Sequence, residues 1–430
     1  MLDLPSRGGQ SNGGGAKIIN VFTLVVIIFF ALAFGWLFTL ALTIYGFAGR
    51  KYLNGKVEGT LPKTSDVPLV SILVPARNEE QRVLADSLRS LLAQDYGSFE
   101  VIAVNDRSTD RTGEILQSLA EDHQRLRVIE GKEIPAGWLG KPYAMHQAFA
   151  LSRGEWILAT DADMILEPAT LRIVMEHIAR INGDAISLIP HFQAETFWER
   201  VMIPAWCWVF LMYSIFFRIN HPKSAGAAAI GGFFLMRRRV LESVGGYEAL
   251  KDEVMEDVRL AEMIKRSGAR LSTEHAPDLL RTRMYSNFSE MWECSTKNWF
   301  SGMKFSLPLS VACVVNMYAM AVVPPLVTVA SAVALAGGAN LWWLFIPAAI
   351  SWLLQILVLA LASRRSGVSA VYAFTAPLAL GLLYTMLLDS GIRVTTGRGV
   401  TWKGRRVYER SGVRPPRLDR STASVATIEQ

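Results

Sequence analysis

Two long stretches without a single charged residue lie on either side of the middle of this 430-residue sequence. The first covers residues 18–49 and the second covers residues 305–363. A membrane-spanning helix needs roughly 20 consecutive apolar residues, so both stretches are long enough to cross a bilayer. The apolar part of a signal peptide is only about 7 to 15 residues long, which favours a membrane anchor over a cleaved signal at 18–49.

These stretches divide the chain into five predicted parts. Gly and Asn near 336–340 split the second stretch, and residues 366–388 are a further candidate, so we expect two to three C-terminal membrane helices. The predicted parts are a disordered Gly- and Ser-rich tail at 1–17, a transmembrane anchor at 18–49, a middle domain at 67–302, a C-terminal transmembrane region at 305–392 and a basic tail at 393–430.

The basic tail raises a question of membrane sidedness. Lys and Arg are enriched in loops on the cytoplasmic side of a membrane. If the middle domain is cytoplasmic, three later spans place the tail outside, against that tendency. Two explanations stay open: the last apolar segment is re-entrant, or the tail is an exception.

Composition narrows the possible functions. The formal net charge is +6, but Lys and Arg are scattered or flank the apolar stretches, so we expect a membrane and no nucleic acid as partner. Three cysteines without a C-x-x-C pair argue against a disulfide framework or a zinc site. The apolar stretches hold no ionisable residue that would line a transport pathway.

The middle of the chain has the pattern of an α/β domain. Apolar runs at 69–74, 99–104 and 156–160 are typical of strands, whereas 81–93 and 112–121 are typical of helices. This alternation predicts a mostly parallel sheet, whose ligands bind at the carboxyl ends of the strands.

Polar residues follow the first two predicted strands at those ends. Residues 75–79 follow the first strand, and Asp106 follows the second. A carboxylate such as Asp106 can accept hydrogen bonds from the edge of a base. The alternative is helix capping, with Ser108 or Thr109 as the N-cap of the next helix.

The third predicted strand leads directly into Asp161 and Asp163. Two carboxylates separated by one residue at the end of a buried strand present hard oxygen ligands that suit Mg²⁺ or Mn²⁺. Such an ion neutralises the negative charge that grows on a diphosphate leaving group. The sequence therefore predicts a divalent metal site at these two residues.

Lys141 precedes that strand in a Gly-containing segment. A Lys beside Gly can approach a phosphate as a point charge, and the alternative is a solvated side chain in a surface loop. His146, a few residues later, is interpreted as a structural group because no second His stands at ligand spacing.

Glu256 and Asp257 open a helical pattern late in the domain. Carboxylates at a helix start either complement the helix dipole or supply a general base. The spacing does not choose between the two residues.

Residues 201–217 are aromatic-rich and uncharged. If they crossed the membrane, Asp161 and Asp257 would face opposite sides and could not share a site. We therefore expect a helix in the membrane interface or along an acceptor groove, with ordinary core packing as the alternative.

Four ordered segments give the sequence a family resemblance. They are GWLGKPYAMHQA (137–148), TDADM (160–164), FWERVMIPA (197–205) and TWKGRRVY (401–408). With them the chain resembles the family 2 glycosyltransferases of GT-A fold over about 67–299. Within that family it looks most like the membrane enzymes associated with hopanoid biosynthesis and the carotenoid-type glycosyltransferases.

The resemblance implies an inverting transfer from a nucleotide sugar, with a UDP-sugar favoured, to a lipid acceptor at the cytoplasmic face of a bacterial plasma membrane. It also implies residue roles. These are a nucleotide-binding turn at Pro75, Arg77 and Glu79, a base contact at Asp106, donor binding at Lys141 and Asp161, a metal site at Asp161 and Asp163, and a general base at Asp257. We assign Gly231, Gly232 and Trp299 to the acceptor side.

Two departures from the family pattern matter. Processive members carry Q-x-x-R-W, of which only Trp299 remains here, so transfer of one sugar is favoured over polymer synthesis. Asn105 stands where many relatives have an Asp. A processive polysaccharide synthase and a catalytically silent membrane scaffold remain as alternatives.

Overall fold

The computed structural model describes residues 21–54, 67–81 and 83–407. The tail predicted at 1–17 and the tail residues 408–430 lie outside the described residues. The strands are β1 (Val70–Ala76), β2 (Phe99–Asn105), β3 (Leu126–Glu130), β4 (Trp156–Ala159), β5 (Met164–Leu166), β6 (Ala185–Ile189), β7 (His191–Phe192), β8 (Phe234–Arg237), β9 (Leu271–His275), β10 (Leu280–Thr282), β11 (Val400–Trp402) and β12 (Arg405–Val407).

The α-helices alternate with these strands and then continue alone. They are α1 (Val21–Ala48), α2 (Leu84–Leu92), α3 (Thr112–Asp122), α4 (Gly140–Leu151), α5 (Thr170–Arg180), α6 (Phe197–Phe216), α7 (Arg238–Ser243), α8 (Glu256–Arg266), α9 (Phe288–Gly302), α10 (Leu307–Met317), α11 (Val323–Ala336), α12 (Trp342–Arg365) and α13 (Ala376–Thr395).

The described strands form a central sheet in the order β3-β2-β1-β4-β8-β6-β9. Strand β1 is parallel to β2 and β4, whereas β8 is antiparallel to its neighbours β4 and β6. Strands that are covered by helices on both faces are apolar throughout, and β1 is buried along nearly all its length. The predicted mostly parallel sheet is confirmed.

The order of the chain reverses at β1, because β2 and β3 lie on one side of it and β4 lies on the other. Ligands of such sheets bind in the crevice outside the carboxyl ends of the strands at the reversal. Arg77, Asp106 and Asp161 follow the ends of β1, β2 and β4, so all three stand at this crevice.

The start of α3 differs from the capping alternative. Its N-cap position is Arg111, whose side chain makes no cap bond, and Asp110 Oδ1 accepts a hydrogen bond from Thr112 N at 3.0 Å. Ser108 Oγ instead accepts from Asn78 N at 3.1 Å. This hydrogen bond ties the loop after β2 to the loop after β1.

Four described helical segments are long and apolar enough to cross a membrane. One is N-terminal and three are C-terminal, in agreement with the larger number predicted. They are Thr23–Ala48, Leu307–Ala336, Trp342–Arg365 and Ala370–Thr395.

Helix α6 contains the aromatic segment expected at 201–217. It packs against α1, α12 and α13, and Trp208 Nε1 donates to Thr43 Oγ1 of α1 at 3.1 Å. On its other face Ile203 packs with Ile189 of β6 and Phe192 of β7. The helix therefore lies between the membrane helices and the α/β domain, and it is not one of the four candidate spans found in the described residues.

Both ends of α13 contact the α/β domain or α6. Just before its start, Tyr372 Oη accepts a hydrogen bond from Arg200 Nη1 of α6 at 3.4 Å. Near its end, Asp389 Oδ2 accepts from Trp292 Nε1 of α9 at 2.8 Å. The chain thus enters and leaves α13 on the side of the α/β domain.

Candidate active site

A salt-bridged cluster lies at the carboxyl end of β4. Lys141, in the first turn of α4, places Nζ 2.7 Å from Asp161 Oδ1 and 2.7 Å from Glu256 Oε1. Lys141 and Asp161 are surrounded by protein but remain 36% and 38% exposed, because the cleft above them is open. We call Lys141, Asp161, Glu256 and Asp257 the inner cluster.

Asp257 joins the inner cluster through the backbone of Gly231. Asp257 Oδ2 accepts a hydrogen bond from Gly231 N at 2.8 Å, and Oδ1 accepts from Val258 N at 2.8 Å. A Cβ at position 231 would lie 2.9 Å from Lys141 Nζ, 3.3 Å from Asp257 Oδ2 and 3.5 Å from Asp161 Oδ2. These three side chains therefore surround one point, which a glycine leaves open.

The inner cluster holds three carboxylates around one ammonium group. Burial favours the neutral amine of Lys141, but the carboxylates, Asp161 foremost, outweigh it and raise the pKa of Lys141. Burial opposes ionisation of Asp161 as well, yet the charge of Lys141 holds its pKa below the ordinary value. Burial and then the charge of Glu256 raise the pKa of Asp257 to about 6. Asp257 is thus a carboxylate that can take up a proton near neutral pH.

The predicted metal ligands Asp161 and Asp163 flank the turn between β4 and β5, and both are half-buried. Among the described residues no group of three His, Cys, Asp or Glu side chains could hold a metal ion unaided. Mg²⁺ is commonly bound by one or two carboxylates together with substrate phosphates. A pair of carboxylates beside a donor diphosphate therefore fits such an ion.

A second charged cluster lies at the ends of β1 and β2. Arg405 Nη1 is 2.6 Å from Asp106 Oδ2, and Arg405 Nη2 donates to the Asp106 carbonyl oxygen at 2.9 Å. Lys403 forms a salt bridge with Glu79. Glu79 and Asp106 are each only 5% exposed. We call Glu79, Asp106, Lys403 and Arg405 the outer cluster.

Two further cations border the outer cluster. Arg77 Nη1 donates to the carbonyl oxygens of Asp106 and Arg107 at 2.8 and 2.7 Å. Arg107 Nη2 is 3.0 Å from Asp106 Oδ1. Pro75 lies within β1, in register with Val104 of β2, so it shapes the strand end and brings no polar side chain.

The residues assigned to the acceptor side take different places. Gly231 lies in the inner cluster, as described above. The carbonyl oxygen of the adjacent Gly232 accepts from Thr160 Oγ1 at 2.7 Å. Trp299 packs against Tyr384 of α13, with ring centroids 6.2 Å apart, so it belongs to the contact between α9 and α13.

The sequence interpretation missed three residues of the crevice. Lys403 and Arg405 belong to the segment TWKGRRVY, whose position in the basic tail suggested only a membrane-flanking role. Tyr247 lines the cavity of the inner cluster, and its buried hydroxyl has no hydrogen-bond partner in the described part of the chain. The family-like segment TWKGRRVY could have indicated that the two cations matter, but its sequence does not show which carboxylates they pair with.

An apolar cavity lies between the α/β domain and the helices α6, α9 and α13. Its lining includes Ile203 of α6, Met291 of α9 and Leu383 of α13. Ile203 also packs near Ile230, which directly precedes Gly231. The apolar cavity therefore approaches the inner cluster from the side of the membrane helices.

Comparison with known families identifies the domain that carries the crevice. The model of the family described as Glycosyl transferase family 2 matches residues 71–245. The matched range includes Asp106, Lys141, Asp161 and Gly231, whereas Asp257 lies just beyond it. Residues 71–245 of this chain are therefore similar to the family 2 glycosyltransferases.

Curated relatives share this part of the chain. A beta-monoglucosyldiacylglycerol synthase of Nostoc sp. is 29% identical over 268 residues, which cover 59% of this chain and 54% of the relative. An undecaprenyl-phosphate 4-deoxy-4-formamido-L-arabinose transferase of Pseudomonas aeruginosa is 31% identical over 145 residues, covering 32% of this chain and 40% of the relative. This chain thus spans about half the length of the first relative and less than half the length of the second.

A solved structure extends the likeness to most of the chain. The mannosyltransferase PcManGT from Pyrobaculum calidifontis, in complex with GDP-Man and Mn²⁺, aligns with a TM-score of 0.53 at 21% identity. The alignment covers 87% of this chain and 98% of that chain. At this identity the likeness speaks for the fold alone, and it confirms the expected GT-A fold.

Proposed function

We propose that this chain, with its family 2 glycosyltransferase domain at 71–245, moves one sugar from a nucleotide-sugar donor to the hydroxyl of a lipid acceptor. The transfer inverts the anomeric centre, uses one divalent metal ion and takes place at the membrane surface. The resemblance favours a UDP-sugar as donor and a hopanoid- or carotenoid-type lipid as acceptor.

The observation that carries this proposal is the meeting of Lys141, Asp161 and Asp257 around one point in the crevice. Sugar transfer needs positive charge where the leaving diphosphate departs and a base where the acceptor hydroxyl attacks. Lys141 Nζ and Asp257 Oδ2 would lie 2.9 and 3.3 Å from a Cβ at Gly231, so both border the same opening. The cluster therefore has the groups that a single displacement requires.

The geometry favours Asp257 over Glu256 as the base. Glu256 Oε1 is held 2.7 Å from Lys141 Nζ, so this carboxylate is engaged in an ion pair. Asp257 accepts backbone N–H groups, and burial and Glu256 raise its pKa to about 6. A base with a pKa near the working pH is effective. Asp257 takes the hydroxyl proton while the acceptor oxygen bonds to the anomeric carbon and the nucleoside diphosphate leaves.

Stabilisation of the leaving group falls to Lys141 and to the metal ion. The neighbouring carboxylates raise the pKa of Lys141 despite its burial. Lys141 therefore stays protonated and positively charged during the reaction. A divalent ion held by Asp161 and Asp163 would add charge stabilisation at the diphosphate. Glu256 positions Lys141 through their salt bridge.

The apolar cavity supports a lipid acceptor. The cavity, at about 20 Å³, is smaller than a lipid tail, so the side chains that line it between α6 and α13 would part as the tail enters. The tail would then be shielded from water, and its hydroxyl end would point past Ile230 to Asp257. An apolar lining offers few hydrogen-bonding groups to a soluble sugar or a polysaccharide acceptor. The lipid names of two relatives, a glucosyldiacylglycerol synthase and an undecaprenyl-phosphate transferase, agree with this class of acceptor.

The contacts at both ends of α13 suggest how the chain crosses the membrane. If Leu307–Ala336 and Trp342–Arg365 cross as a pair while α13 stays on the α/β side, the basic residues between 393 and 406 share that side. The enrichment of Lys and Arg on the cytoplasmic side then places the catalytic domain in the cytoplasm. Maleimide labelling of intact cells tests this prediction. The variant Ala339→Cys should react with maleimide from outside the cell, and the variant Arg406→Cys should not.

The transfer itself is tested with the detergent-solubilised full chain, radiolabelled UDP- and GDP-sugars and total bacterial membrane lipid. The expected product is a chloroform-soluble lipid that carries one labelled sugar, identified by mass spectrometry. Long water-soluble products would identify a polymer synthase instead. If the folded chain transfers sugar from none of the donors, the result would favour the alternative of a catalytically silent membrane scaffold.

The cavity is tested on α6 with a matched pair of substitutions. Ile203→Trp fills the cavity and is expected to raise the KM for the lipid acceptor several-fold with little change in the donor KM. Phe216→Trp is the control, because Phe216 lies on the same helix but is 65% exposed. Equal effects of both substitutions on acceptor and donor would remove the cavity from the acceptor path.

A further inference from the structure

The hairpin of β11 and β12 is an ordered part of the crevice that comes from beyond the membrane helices. Its two turn residues, Lys403 and Gly404, have φ of 45° and 76°, the combination of positive values that a type I′ hairpin turn needs. Val400 is buried in a small apolar cluster with Phe300 of α9 and Val254. The hairpin is therefore anchored by packing, which fixes where its charged side chains point.

Its cations cover the carboxylates at which the nucleoside is expected. Arg405 spans both oxygens of Asp106, at 2.6 and 3.3 Å, and Lys403 pairs with Glu79. The Lys403 carbonyl oxygen also accepts a hydrogen bond from Arg77 Nε at 3.4 Å. A nucleoside can reach these buried carboxylates only if the hairpin cations change partners.

The same cations lie close to where a donor diphosphate would stand. A Cβ at Gly140, the residue before Lys141, would meet Arg405 Nη1 and lie 2.9 Å from Asp106 Oδ2. A further cation, Lys297 of α9, lies 4.6 Å from the ring of Trp402 on the hairpin. Arg405 therefore lies beside the start of α4, where Lys141 of the inner cluster stands.

We propose that Lys403 and Arg405 are donor-binding residues: they pair with Glu79 and Asp106 in this structure and turn to the nucleoside diphosphate when it enters. The inference rests on the proposed function and goes beyond it, since it makes the segment after the membrane helices part of the donor site. Lys403 and Arg405 would then have charge-assisted hydrogen bonds both before and after the donor binds: first to carboxylates, and then to phosphate oxygens. After the exchange Asp106 still has a cation beside it, because Arg107 Nη2 lies 3.0 Å from Asp106 Oδ1.

The test is direct binding of UDP and GDP to the detergent-solubilised full chain, measured by isothermal titration calorimetry. Lys403→Gln and Arg405→Gln are each expected to weaken binding of the preferred nucleotide by roughly tenfold or more. Arg406→Gln is the matched control, because the next residue of a strand points to the opposite face and Arg406 is exposed. It should leave the affinity within about twofold of the wild type, as expected for a charge outside the site.

Other outcomes overturn the inference in distinguishable ways. Unchanged affinity in both variants, with sugar transfer by the wild type intact, removes the hairpin from the donor site but leaves the proposed function standing. Tighter binding identifies the hairpin as a cover that only blocks the donor. If the wild type neither binds a nucleotide nor transfers sugar, the proposed function fails together with the inference. If Arg405→Gln does not fold, Arg405→Lys and Lys403→Gln give the answer.

Discussion

The inner and outer clusters face the same crevice with opposite charge balance. The inner cluster has three carboxylates and one ammonium group, and Asp163 follows two residues after Asp161. The outer cluster has two carboxylates, each paired with a cation of the hairpin, and Arg77 and Arg107 stand beside it. An excess of negative charge attracts a metal cation, whereas an excess of positive charge attracts a nucleotide. The proposed function therefore assigns donor binding and reaction to two different parts of one sheet edge.

The two clusters also differ in the origin of their cations. Lys141 and its partner Asp161 both lie within the range 71–245 that matches family 2, whereas its other partner Glu256 lies beyond that range. Lys403 and Arg405 come from the C-terminal hairpin, which the chain reaches only after the membrane helices. If the clusters are divided in this way, changes in the inner cluster should affect turnover, and changes in the outer cluster should affect donor affinity.

The largest effect on turnover is expected from Asp257→Asn. Loss of the general base should lower kcat by roughly 10²-fold or more, because proton transfer by a positioned side chain contributes about 10² to 10⁴. The amide is nearly the same size, so the Kd of the nucleotide should change little. Steady-state kinetics with the lipid acceptor and calorimetry with UDP or GDP measure the two quantities.

Asp252→Asn is the control for this substitution, because Asp252 lies in the turn before α8 and belongs to neither cluster. It should retain activity close to the wild type. A parallel loss of turnover and donor affinity in Asp257→Asn would move Asp257 from the reaction to donor binding, and the division between the clusters would break.

The next effect is expected from the metal. Chelation of divalent ions should reduce activity at least tenfold, since a metal contributes several kcal/mol of charge stabilisation at a leaving group. Mg²⁺ or Mn²⁺ should restore it. Asp161→Asn and Asp163→Asn should raise the metal concentration that gives half-maximal activity, whereas Asp86→Asn, on the exposed surface of α2, should not. Full activity after strong chelation would contradict a cation at the inner cluster.

Local patterns were sufficient for the strands that build this edge. The predicted strand at 69–74 is observed as Val70–Ala76, and the one at 156–160 as Trp156–Ala159. Apolar runs that end in polar residues mark both the buried strand and its carboxyl end. The placement of Asp106 and Asp161 at the crevice therefore followed from the sequence.

The partners of these residues did not follow from the sequence. Arg405 and Asp106 are 299 positions apart, and membrane helices separate them along the chain. No periodicity relates residues at that distance. The choice between Glu256 and Asp257 was also out of reach, because neighbours on a helix point about 100° apart and only the fold shows which one meets Lys141.

The smallest effect, and the sharpest for the inner cluster, is on the pH profile. Burial and Glu256 raise the pKa of Asp257 to about 6, and a general base works only when deprotonated. The value of kcat/KM should therefore level off above about pH 6 and fall up to tenfold per unit below it. Glu256→Gln removes a neighbouring negative charge and frees Lys141 to attract Asp257, so both changes shift the midpoint to lower pH. A profile that stays flat down to pH 5, or a midpoint that rises in Glu256→Gln, would show that the proton acceptor is not Asp257.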